Sequence, residues 1–239
     1  MTDAFAVLRD HAGLLAQGLL LTVLLASAGI VAGLVLAVPL ALAKLSRHRV
    51  VRGLGTELIE LLRNMPFVVL LVVVHFGAPR LLIRFAPSTS GVVALALYGA
   101  AYFAEVLRGA FLSVPRGQTE GAHALGLTGR ATLIAVVAPQ TTAAAVPPGR
   151  VVAVMLLKDS AVLSIISVPE LTHAAMRIQA ESFATVPVFA ALALLYWLMT
   201  LGLSAAVDRL EARTRLRRRT SLRGSTVAAR YLALDWPLV

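Results

Sequence analysis

The charged residues that interrupt otherwise apolar stretches are the side chains of this sequence most able to do chemistry. These charged residues are Glu60, Arg63, Glu105, Arg108, Lys158 and Asp159, and the polar Ser160 follows the last of them. Glu60 and Arg63 are three residues apart, as are Glu105 and Arg108. The members of each pair therefore lie on one helical face and can neutralise each other. Lys158 and Asp159 are adjacent and therefore point about 100° apart on a helix. Charges in an apolar medium cost several kcal/mol unless they pair or face water. We therefore predict that the Lys158 segment either lines a polar cavity or forms an interhelical ion pair.

The sequence itself lacks signatures of enzymatic or metal chemistry. Its histidines are scattered, at His11, His48, His75, His123 and His173, and none belongs to an HExxH zinc motif. No serine stands in a GxSxG elbow, no GxxxxGK[ST] loop forms a phosphate cradle, and there is no cysteine. We predict no catalytic residue, no metal site and no bound cofactor.

Composition places the chain in a membrane. Of its 239 residues, 59% are hydrophobic and 14% are charged, and the mean hydropathy is +0.84. This leaves too little polar surface for a soluble protein of this size. The apolar runs reach the ~20 residues that a spanning helix needs, and none alternates as a membrane barrel strand must. We predict an all-α, polytopic membrane protein. Much of the net charge of +10 lies in an arginine-rich tail, which favours contact with anionic lipids over nucleic acid.

Five transmembrane helices are predicted. They cover residues 13–43, 57–84, 91–113, 140–168 and 186–207. Fourteen Lys and Arg residues fall in connections on the C-terminal side and four on the other side. Because positive residues stay in the cytoplasm, the N-terminus is predicted outside and the C-terminus inside. The predicted regions are an extracytoplasmic N-terminus (residues 1–12), a transmembrane domain (13–207) and a basic cytoplasmic tail (208–239). The transmembrane domain includes a cytoplasmic loop at residues 115–139.

Three prolines are predicted to interrupt spans. Pro66 follows Glu60 and Arg63 in the second span, and such a break is tolerated only where protein or water satisfies the freed carbonyl. The alternative is that these charges merely anchor the helix end at the interface. Pro147 and Pro148 are predicted to break the fourth span after its first two turns.

The third span carries two tyrosines beside a run of small residues. Tyr98 and Tyr102 flank Gly99, Ala100 and Ala101. Small residues let helix backbones approach closely. We therefore predict a face that packs against another helix and also lines a pathway.

A polar stretch punctuated by glycine, residues 115–139, separates the third and fourth spans. Pro115 ends the third span, Gly126 closes a short helix in the left-handed conformation, and Thr128 caps a second short helix. Pro139 then marks the entry to the next span. We predict a compact knob of two short helices that a protein partner grips. The alternative is an amphipathic connector lying on the membrane.

The residues of this knob resemble the EAA loop of ABC importer permeases. The family pattern is Glu-Ala-Ala, three residues, Gly, nine residues, Ile, one residue and Leu-Pro. The corresponding positions here, at the same spacing, are Glu120, Gly121, Ala122, Gly126, Val136, Ala138 and Pro139. The chain departs from the pattern with Gly121 for alanine, Val136 for isoleucine and Ala138 for leucine. By resemblance, Glu120, Gly121, Ala122, Gly126 and Pro139 couple the chain to an ATPase.

The resemblance extends over about residues 15–207, and in this range the chain is similar to the polar amino-acid branch of these permeases. It is carried by four ordered blocks, ELLRNMP, AYFAEVLRGAFLSVPRGQTEGAHALG, APQ followed by VPP, and LLKDSAVLSIISVPEL. It implies a five-helix permease of the bacterial cytoplasmic (inner) membrane that pairs with a second copy or a homologous permease. Two ABC ATPase subunits would bind the loops and the ATP, and an extracytoplasmic solute-binding protein would deliver the substrate.

The implied function is the transmembrane permease subunit of an ATP-driven importer for amino acids or amino-acid-like solutes. The alternative is an ATP-independent secondary transporter or channel, although no inverted internal repeat is visible. Candidate residues of the substrate pathway are Glu60, Arg63, Pro66, Tyr98, Tyr102, Glu105, Lys158, Asp159 and Ser160. The family often has Gln at Leu70, Ser-Gly at Gly99 and Ala100, and Gly-Asn-Glu at positions 150–152. Because the carboxylate and amide are lost, we predict that this chain does not favour arginine or lysine as its substrate.

Overall fold

The computed structural model describes residues 4–82 and 84–223, and all regular structure in these two ranges is helical. The α-helices are α1 Ala4–Asp10, α2 Ala12–Lys44, α3 Arg49–Asn64, α4 Phe67–Gly77, α5 Pro87–Leu112, α6 Arg116–Ala124, α7 Gly129–Thr132, α8 Ala138–Asp159, α9 Leu171–Ser182 and α10 Thr185–Arg223. The predicted all-α class is confirmed. Residues 224–239, which form the last part of the predicted tail, lie outside the described residues, as do the side chains of the arginine-rich stretch before them.

Helices α2 and α5 form the central contact of the fold. A Cβ added to Gly29 of α2 would lie 2.6 Å from the Cβ of Leu95, and one added to Gly33 would lie 3.2 Å from the carbonyl oxygen of Ala96. Because Gly29 and Gly33 have no side chains, the two helices can approach each other closely. The later end of α2 also meets the later end of α5, where Lys44 contacts Glu105. The two helices thus run in the same direction, and the chain must cross back between them.

The crossing between α2 and α5 begins with a sharp corner at Pro66. The helix before it and the helix after it are inclined by 106°. Met65 is extended, with ψ 133°, as expected for a residue before proline. The predicted break is therefore correct, and it separates residues 57–64 from the rest of the predicted second span. They belong to α3, a separate helix that packs against the end of α2 through Gly55.

The predicted break at Pro147 and Pro148 is wrong. Helix α8 continues through both residues to Asp159. Each proline lacks the N–H that would bond to the carbonyl four residues earlier, which frees the carbonyls of Ala143 and Ala144. Ala144 and both prolines are exposed in this first half of the helix. The loss of these two hydrogen bonds removes part of the backbone ladder but does not end the helix. The helix instead tightens into a 3₁₀ turn at Ser160–Ile166.

The described helices include three to five candidate membrane crossings. Three helices are long and apolar enough to span by themselves, Ala12–Lys44, Pro87–Leu112 and Thr185–Arg209. Two bent pairs complete the set if each is one span, Arg49–Asn64 with Phe67–Arg80 and Gly129–Ile166 with Leu171–Ser182. Which end of the bundle faces the cytoplasm stays a prediction. We call the end that carries Lys44, Glu105 and residues 115–139 the loop end.

Two apolar clusters lie inside the bundle. The larger one joins α2, α3, α4, α5 and α8, with Phe103 and Leu156 among its fully buried side chains. The smaller one joins the start of α2 to α9 and α10 through Leu15, Ile178 and Val188. Helix α10 continues without a break past residue 208, where the tail was predicted to begin.

Glu170 holds the smaller cluster together. Its side chain is fully buried, and its two oxygens cap the start of α9 by accepting hydrogen bonds from the backbone N–H groups of Thr172 and His173, both at 2.8 Å. The Tyr196 hydroxyl on α10 donates to the same carboxylate at 3.1 Å. Thr22 on α2 accepts a bond from Leu171 N at 3.0 Å. Glu170 and Thr22 therefore join α2, α9 and α10 at one point.

We predict that Glu170→Ala destabilises the protein by about 2–5 kcal/mol, because it leaves buried donors without an acceptor. Glu170→Gln keeps one acceptor oxygen and loses less. The measurement is the midpoint of thermal unfolding of the purified protein in detergent. Glu181→Ala, at the exposed end of the same helix, removes only surface ion pairs with Arg177 and His11 and is the control, with a much smaller shift of the midpoint expected. An unaltered midpoint for Glu170→Ala would contradict the role assigned to this carboxylate.

Candidate functional site

The loop of residues 115–139 begins with a helix that ends as the sequence predicted. Helix α6 ends at Ala124, and Gly126 has the left-handed φ of 80°. The Leu127 N–H donates to Ala122 O at 3.1 Å and the Gly126 N–H donates to His123 O at 2.9 Å. This is the Schellman pattern, in which a glycine closes a helix and its last carbonyls find donors. The predicted helix end at Gly126 is confirmed.

The second part of the loop differs from the prediction. Thr128 caps α7 as predicted, because its side-chain oxygen accepts a bond from Ala131 N at 3.3 Å. The helix does not stop before Pro139, however. It passes through a π-helical turn at Leu133–Val137 into α8. A wider turn accommodates a proline that cannot donate to the preceding carbonyls. The second short helix is therefore the first part of α8.

The loop is small but has its own packing. Ala122, Thr132 and Val137 are buried within it, and Gln140 Nε2 lies 3.4 Å from Gln118 Oε1, across the two arms. These contacts hold α6 against the start of α8. The loop is consequently an ordered corner and not a loose connection.

The outer surface of this corner exposes apolar side chains that the sequence analysis did not single out. Leu125 is 84% exposed and Ile134 is 60% exposed, and Leu127 and Leu133 are also exposed. Glu120, Gly121 and Gly126 lie on the same exposed loop, as does Pro139. Apolar groups clustered on an otherwise polar surface are typical of a docking site. A leucine directly before a helix-closing glycine is the signal that could have revealed this surface.

A row of aromatic and charged groups runs between α4, α5 and the end of α3. The rings of Phe67 and Tyr98 are 5.3 Å apart, and those of Tyr98 and Tyr102 are 5.0 Å apart. The Tyr102 hydroxyl donates to Arg63 O at 3.2 Å, and the Arg63 guanidinium lies 5.2 Å from the centre of the Tyr102 ring. Asp159 on α8 exerts only a weak electrostatic effect on Tyr98. The structure thus brings Arg63, Tyr98 and Tyr102 together.

The predicted pair of Glu60 and Arg63 does not form. Glu60 is exposed, and Arg63 contacts Tyr102 instead. The two side chains leave α3 on the same polar side, but the corner at Pro66 brings the aromatic ring of α5 next to Arg63. The cation–π contact replaces the ion pair. Glu60 therefore lies apart from the row.

Glu105 lies in a cluster of three charges at the loop end. Its carboxylate accepts a bond from Arg108 Nε at 2.9 Å, which confirms the predicted pair, and another from Lys44 Nζ at 3.0 Å. Both oxygens are therefore engaged in joining α2 to α5. The contribution of Lys44 was not predicted, because it comes from a residue 61 positions away.

Lys158 and Ser160 have different surroundings. Lys158 lines a pocket of about 340 Å³ with Ala161, Ala193, Tyr196, Trp197 and Thr200. Ser160 is buried and donates to Leu157 O at 2.7 Å. Lys158 and Asp159 do not form an ion pair with each other. The predicted lining of a polar cavity by this segment stays a prediction.

Known proteins share both the sequence and this architecture. The model of the family described as "Binding-protein-dependent transport system inner membrane component" matches residues 29–216. The arginine ABC transporter permease protein ArtQ of Haemophilus influenzae is 35% identical, over 85% of this chain and 95% of its own length. The glutamine transport system permease protein GlnP of Escherichia coli is 31% identical, over 85% of this chain and 94% of its own.

Solved structures agree with the sequence relatives. The crystal structure of an amino acid ABC transporter with histidines superposes with a TM-score of 0.82 at 29% identity, and the match covers 89% of this chain and 100% of that one. An inward-facing MetNI methionine ABC transporter gives a TM-score of 0.74 at 19% identity over 84% and 96%, which shows the shared fold alone. The protein is a multi-pass component of the bacterial inner membrane. From its family match, its relatives and its architecture, the chain belongs to the inner membrane components of binding-protein-dependent transport systems, the permeases of ABC importers.

Proposed function

We propose that this chain is the transmembrane permease subunit of an ATP-driven importer of amino acids, and that residues 115–139 form the surface through which ATPase subunits drive it. The observation that carries the proposal is the ordered, apolar-faced corner at the loop end. Relatives are named for glutamine, arginine and cystine, which supports an amino acid or a similar solute as the cargo.

The corner is attached to the two helices that carry most of the candidate pathway. At one arm, only Ser113, Val114 and Pro115 separate α6 from α5, which bears Tyr98 and Tyr102. At the other arm, the helix is continuous from Gly129 to Asp159. A helix transmits displacement along its axis better than a loop does. Movement of the docked corner would therefore reach both helices, which supports a mechanical role.

The partners follow from this arrangement. Two ATPase subunits would bind the ATP and grip the corners of two permease chains, either identical or homologous. An extracytoplasmic solute-binding protein would deliver the solute at the opposite end of the bundle. The candidate pathway is the row of Arg63, Tyr98 and Tyr102, together with Lys158 and Asp159 on α8. Lipid surrounds the complex, and no nucleic acid is involved.

Reconstitution tests this function directly. Liposomes that contain this chain with its ATPase subunits, a binding protein and ATP are expected to accumulate the solute, whereas liposomes with this chain alone are not. Accumulation or equilibration of the solute by the chain alone would favour the alternative, an ATP-independent transporter or channel.

We predict that Gly126→Val lowers uptake about ten-fold or more while ATP hydrolysis persists. A β-branched residue is strained at φ 80°, and the distorted corner would no longer transmit movement. Gly126→Asn, which tolerates this conformation better, is expected to retain most uptake. The control is Gly109→Val at the end of α5, where an added Cβ meets nothing within 4 Å. Uptake and ATP hydrolysis are measured on the same vesicles, and normal uptake by Gly126→Val would contradict the coupling role.

We also predict that the importer does not favour arginine or lysine. Leu70 and Val152 are buried and apolar, Val151 is apolar, and Arg150 is engaged in an ion pair with Asp208. These positions supply no carboxylate for a second positive charge, and an unpaired charge in the membrane is costly. Competition between labelled amino acids for uptake provides the measurement, with neutral polar amino acids expected to compete at least about ten-fold better. Fastest transport of a dibasic amino acid would overturn the prediction.

A further inference from the structure

Helix α3 presents three different faces. On one side, Gly55, Ile59 and Leu62 are buried against the bundle. An adjacent stripe is apolar and exposed. Its members are Val50 (73% exposed), Val51 (45%), Leu54 (68%), Leu58 (45%) and Leu61 (60%). At about 100° per residue, these five side chains fall within an arc of roughly 100°. The remaining side is polar and includes Arg52, Glu57 and Glu60, all exposed.

The direction of α3 is set by its neighbours. Helices α2 and α5 run parallel, so the segment between them has to recross the bundle, and α4 is the apolar part of that segment. Since α3 is inclined by 106° to the helix that begins at Phe67, it lies across the spanning direction. Gly55 places it against Ala43 and Lys44, at the loop end of α2. This is the orientation of a helix in the plane of a membrane surface.

The level of α3 matches the edge of the apolar belt. Leu42, two residues before the end of α2, is exposed, as is Val38 one turn earlier. The exposed stripe of α3 starts beside this point. One part of the apolar surface of α3 thus packs against the protein, and the other part lies at the hydrocarbon boundary. The polar side of α3 faces the water.

Charge identifies the partner more closely. Arg47, Arg49 and Arg52 are all exposed where α3 begins, and none of them has a carboxylate partner among the ion pairs of the described residues. Arg52 only donates to the carbonyl of Ser46. Clustered cations beside an in-plane apolar helix fit the phosphate groups of anionic lipids.

We propose that α3 is an interfacial anchor. Its stripe from Val50 to Leu61 is inserted into the leaflet at the loop end, and its arginines bind anionic phospholipid headgroups. The far end of α3 carries Arg63, which is hydrogen-bonded and stacked to Tyr102. The anchor is therefore joined directly to the polar row. This inference goes beyond the proposed transport function and does not depend on it.

The absence of cysteine from the chain allows a direct test by single-cysteine spin labelling in liposomes of phosphatidylcholine and phosphatidylglycerol. Labels at Leu54→Cys and Leu58→Cys are expected to collide mainly with oxygen, which concentrates in the bilayer. Labels at Glu57→Cys and Glu60→Cys, on the polar side of the same helix, are the matched controls and should collide mainly with a water-soluble nickel chelate. Collision of the Leu54 label mainly with nickel would overturn insertion. Exclusion of both reagents, with strong dipolar coupling between labels, would overturn it in favour of a second copy of the chain.

A second measurement tests the headgroup contact. The midpoint of thermal unfolding of the reconstituted protein is expected to rise as phosphatidylglycerol replaces phosphatidylcholine. The variant R47Q/R49Q/R52Q should lose at least half of this rise, whereas R116Q/R130Q in the neighbouring loop should keep it. Inorganic phosphate at a matched concentration should have no effect. An unchanged lipid response in the triple variant, or an equal response to free phosphate, would overturn the proposal.

Discussion

The close, parallel contact of α2 with α5 is the constraint on which the rest of the structure depends. Gly29 and Gly33 leave no room for a side chain between the helices. Two parallel neighbours that both span a membrane cannot be joined by a short turn, so the chain between them has to return across the bundle. That return produces the corner at Pro66, the short helix α4 and the lateral position of α3. It also brings Phe67 and Arg63 to the tyrosines of α5, and the polar row follows from it.

Within this frame, the acidic groups of the described residues differ in how they are compensated. Glu170 is fully buried but accepts bonds from backbone and side-chain donors. Glu105 has a cation at each oxygen. Lys158, by contrast, lines a pocket, and neither Lys158 nor Asp159 belongs to an ion pair of the described residues. In a medium where an uncompensated charge is costly, the two engaged carboxylates are structural. Lys158 and Asp159 have no such compensation among the described ion pairs, which is why the proposed pathway includes them.

Local signals in the sequence predicted local structure well. Gly126 and Thr128 act through their own neighbours, so their roles as helix stop and helix cap could be read directly. The same holds for Arg108 and Glu105, which are one helical turn apart. Long-range geometry was not accessible in this way. Lys44 reaches Glu105 from a distant part of the chain, and Arg63 meets Tyr102 only because α3 turns at Pro66. The apolar pattern of residues 57–84 is continuous enough to predict one span, although α3 and α4 are inclined by 106°.

The polar contacts of the two arms of the corner at residues 115–139 differ in strength. The α5 arm ends beside the cluster of Lys44, Glu105 and Arg108, whose side chains are only 16–30% exposed, and α5 also packs closely on α2. The α8 arm is held to α10 by Arg150 and Asp208, which are 42% and 53% exposed. A pair so open to solvent contributes little, about 0–1 kcal/mol, whereas a partly buried, hydrogen-bonded network is worth more. These polar contacts therefore fix the α5 arm more firmly than the α8 arm. The two arms also pack against each other in the larger apolar cluster, where Leu156 of α8 lies against Gly99 of α5, so a force applied at the corner would move both helices together.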